Sequence, residues 1–508
     1  MASGWLSRRG RVLSRAGLGV LSWVITPDLV DEATGDGLAW EMRLRLLPSR
    51  LGVYFVLGLC LFSALPYGQV LRRVTGGLEE ALAGAGWQVP AVTALTQVRR
   101  RVGEKPLHAL FGRLCSALSP GRSPWSHAGD LLVVAWDGTT VTVPASEENI
   151  VAFGRERASG GGFCHYPQIR LVSLIACGTR AVLGAAMGPL TGKGTGERAL
   201  AGQLLGQLRA GMLLLADRGF YSWALWRAAA GTGADLLWRV KANLLLSPWQ
   251  VLPDGSWLAR IADPAAVRRR TVRNGTRRRR GSALPPDTAP VPFMTVRVIE
   301  FFVRVTDDQG RTRTEPYRLV TTLMDWRRYP ARDLAAVYAW RWAVETGYRE
   351  FKTYLRGPGR ILRSRTPELA RQELWAYLCI YQAIRAVICR AAASRALDPD
   401  RISFTLALDT IRQAIPAARA SMNQALTRTE DILTSENHLV PERPGRVWAR
   451  AITQPRSAFP ARKTGTGLIS HTTSYTIHIP TPGATTRKPP GTPTSQPQRP
   501  PNPANQPP

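Results

Sequence analysis

The sequence predicts an α/β fold in which a strand-rich core is flanked by helical regions. Three observations carry this expectation. Apolar residues recur at helical spacing up to about residue 120 and again from 366 to about 435. Between those regions the period shortens, starting with Leu-Leu-Val-Val-Ala-Trp at Leu131. Within that shorter-period part, strand-like runs come in the order three strands, a helix, a strand and further helices, which is the order of an RNase H-like core.

Taken along the chain, Pro48, Pro66, Pro90 and Pro106 punctuate the first 120 residues into short helices. Leu131 to Trp136 reads as a buried strand that ends at Asp137-Gly138, a turn pair, before a second strand containing Val141 and Val143. Further strands are expected at Gln168 to Ala176, Arg180 to Ala186, Gly211 to Asp217 and Leu236 to Lys241, with a helix from about Thr195 to Ala210. Alternating stretches follow at Met294 to Val305 and Tyr317 to Leu323, and helix resumes near Pro330. The chain beyond about Pro455 has 11 prolines between Pro480 and Pro508 and reads as a disordered tail.

At 508 residues the chain is long enough for two to four domains. Lys and Arg number 67 against 36 Asp and Glu, giving a formal charge of +31 and a pI near 11.1. A polyanion is the expected partner, either nucleic acid or an anionic membrane. Leu51 to Pro66 is the longest apolar run, but it is shorter than the roughly 20 residues a bilayer crossing needs, so it reads as a buried helix. No signal-peptide pattern is evident, and a cytoplasmic protein with no membrane partner is expected. Six scattered cysteines lack Cys-x2-Cys spacing, which argues against a zinc site or a disulfide framework. No Walker or dinucleotide glycine pattern occurs, so no nucleotide cofactor is expected. His165 is given no role.

The most specific pattern places Tyr338, Arg341, Glu345 and Lys352 at intervals of three, four and seven. On one helix these steps set a phenol, two cations and a carboxylate along a single stripe. Tyr-x2-Arg-x3-Glu-x6-Lys resembles the signature of the insertion-sequence-4 family of DDE transposases. Two further blocks agree with it. Asp137 follows an apolar strand, and Ala216-Asp217-Arg218-Gly219-Phe220-Tyr221-Ser222 resembles the family's second aspartate block.

The resemblance implies a cut-and-paste DNA transposase with an RNase H-like core and a β-rich insertion between the second aspartate and the glutamate. The expected divisions are a helical DNA-binding domain at 1–120, a catalytic domain at 128–365 with its insertion at about 242–325, C-terminal helices at 366–450, and the tail at 451–508. Asp137, Asp217 and Glu345 would hold two Mg²⁺ ions, with Mn²⁺ as a possible substitute, because gripping attacking and leaving oxygens together needs hard oxygen ligands from separate elements. Arg341 and Lys352 would bind DNA phosphates, and Tyr338 would donate to one. The expected partners are double-stranded DNA, as transposon ends and target, and a second copy of the chain in a synaptic homodimer. The implied setting is the bacterial cytoplasm, with the protein on the nucleoid. An inactive relic that still binds DNA is the alternative function.

Taken singly, each carboxylate has a plainer reading. Asp137 fits a hairpin turn, Asp217 a helix N-cap and Glu345 an exposed helix face paired with Arg341. Two further DNA contacts are expected. The segment ending in Gln97, Arg99, Arg100 and Arg101 could form a recognition helix or a solvated basic face. Arg268 to Arg280, which includes Arg277, Arg278, Arg279 and Arg280, carries eight arginines in thirteen residues, too dense for a packed element and suited to phosphates. Trp238, Trp326, Trp340 and Trp342 are candidates for stacking on a displaced base.

Overall fold

The computed structural model describes residues 12–13, 15–35, 47–117, 123–157, 162–279, 288, 290–306, 312–415, 422–442 and 474–479. The N-terminal region is helical, with α1 Pro27–Thr34, α2 Ser49–Leu61, α3 Tyr67–Thr75, α4 Glu79–Ala83, α5 Val92–Val102 and α6 Lys105–Ala117. Proline sets several of these starts: Pro48 and Pro66 are extended N-cap residues, because proline fixes φ and cannot continue a preceding turn. Helix α2 is apolar on every side and buried almost throughout.

The sheet begins with β1 His127–Ala128 and the long β2 Leu131–Thr142; α7 Glu147–Phe153, β3 Gln168–Ala176 and β4 Val182–Pro189 follow. Then come α8 Glu197–Gln203, β5 Met212–Ala216, α9 Trp223–Ala230 and β6 Asp235–Arg239. Strands β4, β3 and β2 pair antiparallel, whereas β2, β5 and β6 pair parallel, giving the order β4-β3-β2-β5-β6. That is the RNase H-like arrangement. Asp137-Gly138 is not a hairpin: Asp137 pairs with Ser173 and Gly138 with Val172, so β2 runs unbroken through them. A neighbouring strand that continues past the pair removes the need for a turn there.

The insertion extends the same sheet. It comprises β7 Pro248–Val251, β8 Trp257–Ala262, α10 Pro264–Arg279, β9 Phe293–Thr306 and β10 Thr312–Thr321, and β10 pairs with β6. The arginine-dense stretch is therefore helical over its described part rather than an open loop, with Arg268, Arg269 and Arg273 on a largely solvent-facing surface. Arg277, Arg278 and Arg279 fall on the last turn of that helix, and Arg280 lies outside the described residues.

After the insertion come α11 Ala331–Tyr338, α12 Trp342–Arg349, α13 Pro367–Ser394, α14 Phe404–Ala414 and α15 Met422–Thr434. Helix α13 is long and apolar enough to span a membrane, yet most of its apolar window is buried inside the protein. It is the shared core element of both helical regions: its Gln372 donates to the carbonyl oxygens of Arg99 and Gly103. One expectation for the tail needs correcting. Ser474–His478 forms a strand, β11, paired with β9 from Thr306 to Phe302, because the open edge of β9 offers unpaired backbone groups to it.

The two sheet faces have separate cores. Odd-numbered Leu131, Val133 and Ala135 of β2, with Leu213 and Leu215 of β5, share a core with the N- and C-terminal helices. Even-numbered Leu132, Val134, Trp136 and Leu214 pack with Leu200, Trp226 and Trp238 on the opposite face. This period of two sets Asp137 within β2 on the odd-numbered side.

Candidate catalytic site

Strands β2 and β5 run parallel with Ala135 opposite Leu215. Two residues past that pair β2 reaches Asp137, while β5 ends at Ala216 and Asp217 follows it, so both aspartates lie around the C-terminal end of β5. Arg341 against Asp137 and Tyr338 against the Ala216 carbonyl set α11 and α12 over this end of the sheet, on the side of the core shared with the helices. Val344 and Tyr348 seat α12 in that core, and the Tyr348 hydroxyl donates to the carbonyl oxygen of Asp137 at 2.7 Å. Glu345, one residue after Val344, is thereby delivered to the same end of the sheet.

Arg341 links these carboxylates. Its Nη2 donates to Glu345 Oε1 at 3.0 Å, its Nη1 lies 3.9 Å from Asp137 Oδ2, and its charge is also felt by Asp217. The Arg341–Glu345 pair weighed as the plainer reading is thus present, but the same guanidinium serves the aspartate side as well. Burial pushes the Asp137 carboxyl up to about 6, against the Gly138 N–H donated to Oδ1 at 2.9 Å and the Arg341 charge; Glu345 and Glu197 raise it further. Glu197, at the start of α8, lies so close to Gly138 that a side chain there would collide with its carboxylate.

Among the described residues no three His, Cys, Asp or Glu side chains stand close enough together to grip an ion in this arrangement. The donor chemistry nevertheless suits a hard divalent cation, and the Arg341 guanidinium supplies positive charge between Asp137 and Glu345.

The four-residue motif does not lie on one regular helix. Tyr338 ends α11, Ala339–Arg341 is a 3-10 turn, Glu345 sits in α12, and Lys352 lies in a π-helical stretch, Glu350–Leu355. Tyr338 is buried and donates to the carbonyl oxygen of Ala216 at 3.3 Å, so its hydroxyl braces the strand end beside Asp217 instead of standing free for a phosphate. Lys352 Nζ donates to Thr139 Oγ1 at 3.1 Å, one pleat along β2 from Asp137, and burial lowers its pKa.

In α5, Gln97, Arg100 and Arg101 are exposed, but Arg99 is buried and cannot face a groove. Arg99 donates to Tyr67 Oη at 2.6 Å and Ser364 Oγ at 2.7 Å, and lies 3.8 Å from Glu373. Trp238 is fully buried against Trp136 and Trp226, which removes it as a stacking candidate; Trp326 and Trp340 are half-buried, and Trp342 is 55% exposed. The supporting roles of Tyr348 and Thr139 were not foreseen. Tyr348 lies three residues past Glu345, the helical spacing that could have flagged it.

An RNase H-like sheet with one aspartate in a central strand, a second just past the end of its parallel neighbour and a glutamate on a covering helix has the layout of a DDE core. The Insertion element 4 transposase N-terminal family matches residues 15–112, and the Transposase DDE domain family matches residues 128–383. The chain is similar to Transposase InsG for insertion sequence element IS4 of Escherichia coli K12, at 24% identity over 86% of this chain and 92% of that protein. It is also similar to Putative transposase InsZ of the same organism, at 26% identity over 45% of this chain and 71% of that protein. A chain from the piggyBac transposase synaptic complex with hairpin DNA aligns with a TM-score of 0.39 and 8% identity, covering 83% of this chain and 86% of the other. The chain belongs to the DDE transposases of the insertion element 4 family, and this membership supports a role in DNA transposition.

Proposed function

We propose that this chain is a cut-and-paste transposase that binds the terminal inverted repeats of an insertion sequence, cleaves DNA at the element's ends and transfers the freed strand to a target. The observation that supports the reading is that Asp137 in β2 and Asp217 just past β5 lie around the C-terminal end of β5, with Glu345 joined to Asp137 through Arg341. Asp137, Asp217 and Glu345 would hold two Mg²⁺ ions, or Mn²⁺ in their place. When bound, the ions would activate the attacking oxygen and stabilise the leaving one.

The chain's own residues do the rest. Tyr348 and Tyr338 brace the backbone at the two aspartates and keep the strand ends from spreading. Released from Glu345, Arg341 offers a two-donor fork to a phosphate, and Lys352 offers a mobile point charge beside it. Exposed Trp342, whose ring lies near the Arg341 guanidinium, is placed to stack on a base next to the cut. Gln97, Arg100 and Arg101 on α5 and the arginines of α10 supply DNA contacts away from the cut, and two copies act together in a synaptic complex.

The test is Mg²⁺-dependent nicking of a linear DNA fragment that carries the element's own ends, compared with Asp217→Asn. Cleavage by the native chain alone supports the reading. End binding with no cleavage in Mg²⁺ or Mn²⁺ would establish an inactive relic instead.

A further inference from the structure

Glu350 lies five residues after Glu345 and two before Lys352, and it is 3% exposed. A buried carboxylate needs partners, and these come from two other elements. Arg180, at positive φ in the turn between β3 and β4, forms an ion pair with it. Arg385 of α13 lies 3.7 Å away, and the Tyr381 hydroxyl, one helical turn earlier, donates to it at 3.0 Å. Arg385 is itself fully buried, and its Nε and Nη2 donate to the Thr179 carbonyl oxygen at 2.8 and 2.6 Å. The sheet turn, the long core helix and the helix of the motif therefore meet at one carboxylate. Gly347 permits that approach, since a Cβ there would lie 3.1 Å from the Tyr381 hydroxyl.

The π-helical stretch starts at this same residue, and the Arg356 N–H reaches back five residues to the Phe351 carbonyl oxygen at 3.2 Å. Such wide turns are rare and persist where the surroundings hold them. Lys352 lies within this stretch and reaches Thr139, two residues along β2 from Asp137, while Glu345, in the regular helix before it, pairs with Arg341.

We infer that Glu350 is a positioning residue for strand cleavage: tied to Arg180, Arg385 and Tyr381, it holds the start of the π turn and so keeps Lys352 at Thr139, two residues along β2 from Asp137. The inference rests on the transposase reading given above.

A double-mutant cycle on the full chain tests it, using the same linear DNA fragment and Mg²⁺. Glu350→Gln keeps the volume and removes the charge. We expect end binding within about twofold of the native chain and cleavage slowed about tenfold, with Glu350→Gln/Lys352→Ala no slower than Lys352→Ala alone. That non-additivity separates positioning from a general loss of stability, which would slow the Lys352→Ala background by the same factor again. Native-rate cleavage by Glu350→Gln, or multiplicative effects in the double variant, would overturn the inference. Should Glu350→Gln fail to fold, Tyr381→Phe, which removes only the donated hydrogen bond, carries the same cycle with a two- to fivefold effect expected. A native chain that never nicks defeats the transposase reading itself, whereas a cleaving native chain with a multiplicative cycle defeats only this inference.

Discussion

The Arg341 guanidinium donates to Glu345 at 3.0 Å while standing 3.9 Å from Asp137, so one fixed cation serves two acids that come from different elements. A divalent ion binding there must compete with it. Replacing Arg341 with Gln should tighten Mn²⁺ binding by roughly two- to fivefold, the worth of about 0.5–1 kcal/mol for a partly exposed ion pair, while cleavage slows. Calorimetric or spin-resonance titration of Mn²⁺ reads this directly, and unchanged or weaker affinity would show that Arg341 does not compete.

Asp217→Asn removes a charge and almost no volume. End binding should stay within about twofold and cleavage should fall by at least about 10³-fold, since a hard-cation ligand is lost. Gel-shift and nicking assays on one preparation check both halves; residual cleavage near the native rate would remove Asp217 from the ligand set.

Arg297 of β9 is fully buried, donates to Ser256 Oγ at 2.8 Å and to the carbonyl oxygens of Leu323 and Tyr329 at 3.1 and 2.7 Å, and is ion-paired with Asp254. Asp254 also accepts the N–H of Ala331 at 2.8 Å, the first residue of the helix that carries Tyr338. Arg297→Ala should cost about 3–5 kcal/mol, because breaking a buried pair strands its partner. Thermal or denaturant unfolding measures it, and a loss under about 1 kcal/mol would mean that the joint carries little.

The same joint predicts an acid limb. Burial raises the Asp254 pKa, but hydrogen bonds from Ser256 and Ala331 and the Arg297 charge outweigh burial and hold the carboxyl below its usual range. A pKa depressed on folding gives stability that is complete above the unfolded value of about 3.9 and lost as pH falls through the folded one. Below about pH 4 the melting temperature of the native chain should therefore fall more steeply than that of Asp254→Asn; parallel slopes would refute this.

Adjacent arginines on α5 should behave oppositely. Arg100→Ala should leave the melting temperature unchanged and reduce the slope of log affinity against log salt by about 0.9, as for one lost phosphate contact. Arg99→Ala should instead destabilise the fold by roughly 3 kcal/mol, because Glu373 loses a buried cation. Equal salt slopes for the native chain and Arg100→Ala would remove α5 from the DNA contacts.

These contrasts mark what the sequence could and could not disclose. The aspartates were legible because each follows an apolar run, and both runs form buried strands. Arg99, Arg100 and Arg101 are consecutive, so composition alone cannot say which of them turns inward; that depends on Tyr67, Ser364 and Glu373, two of them more than 260 residues away. The same holds for Glu350, whose partner Arg180 lies 170 residues earlier. Asp137-Gly138 read as a turn because local propensity favours one, and only the facing strand β3 carries β2 straight through it. Changes of winding between Tyr338 and Lys352 left no periodic trace, since the spacing itself satisfies an ordinary helix.

Through the pairing of β10 with β6, the insertion shares one continuous hydrogen-bonded sheet with β2, which carries Asp137, and with β5, which Asp217 follows. Such a sheet transmits force without a hinge, so the lobe bearing α10 cannot swing freely against the catalytic strands. A duplex gripped at both places would itself have to bend or unstack, at a cost of order 1–6 kcal/mol set by its own sequence. Selectivity would then extend to base pairs that no side chain touches, read through their stiffness.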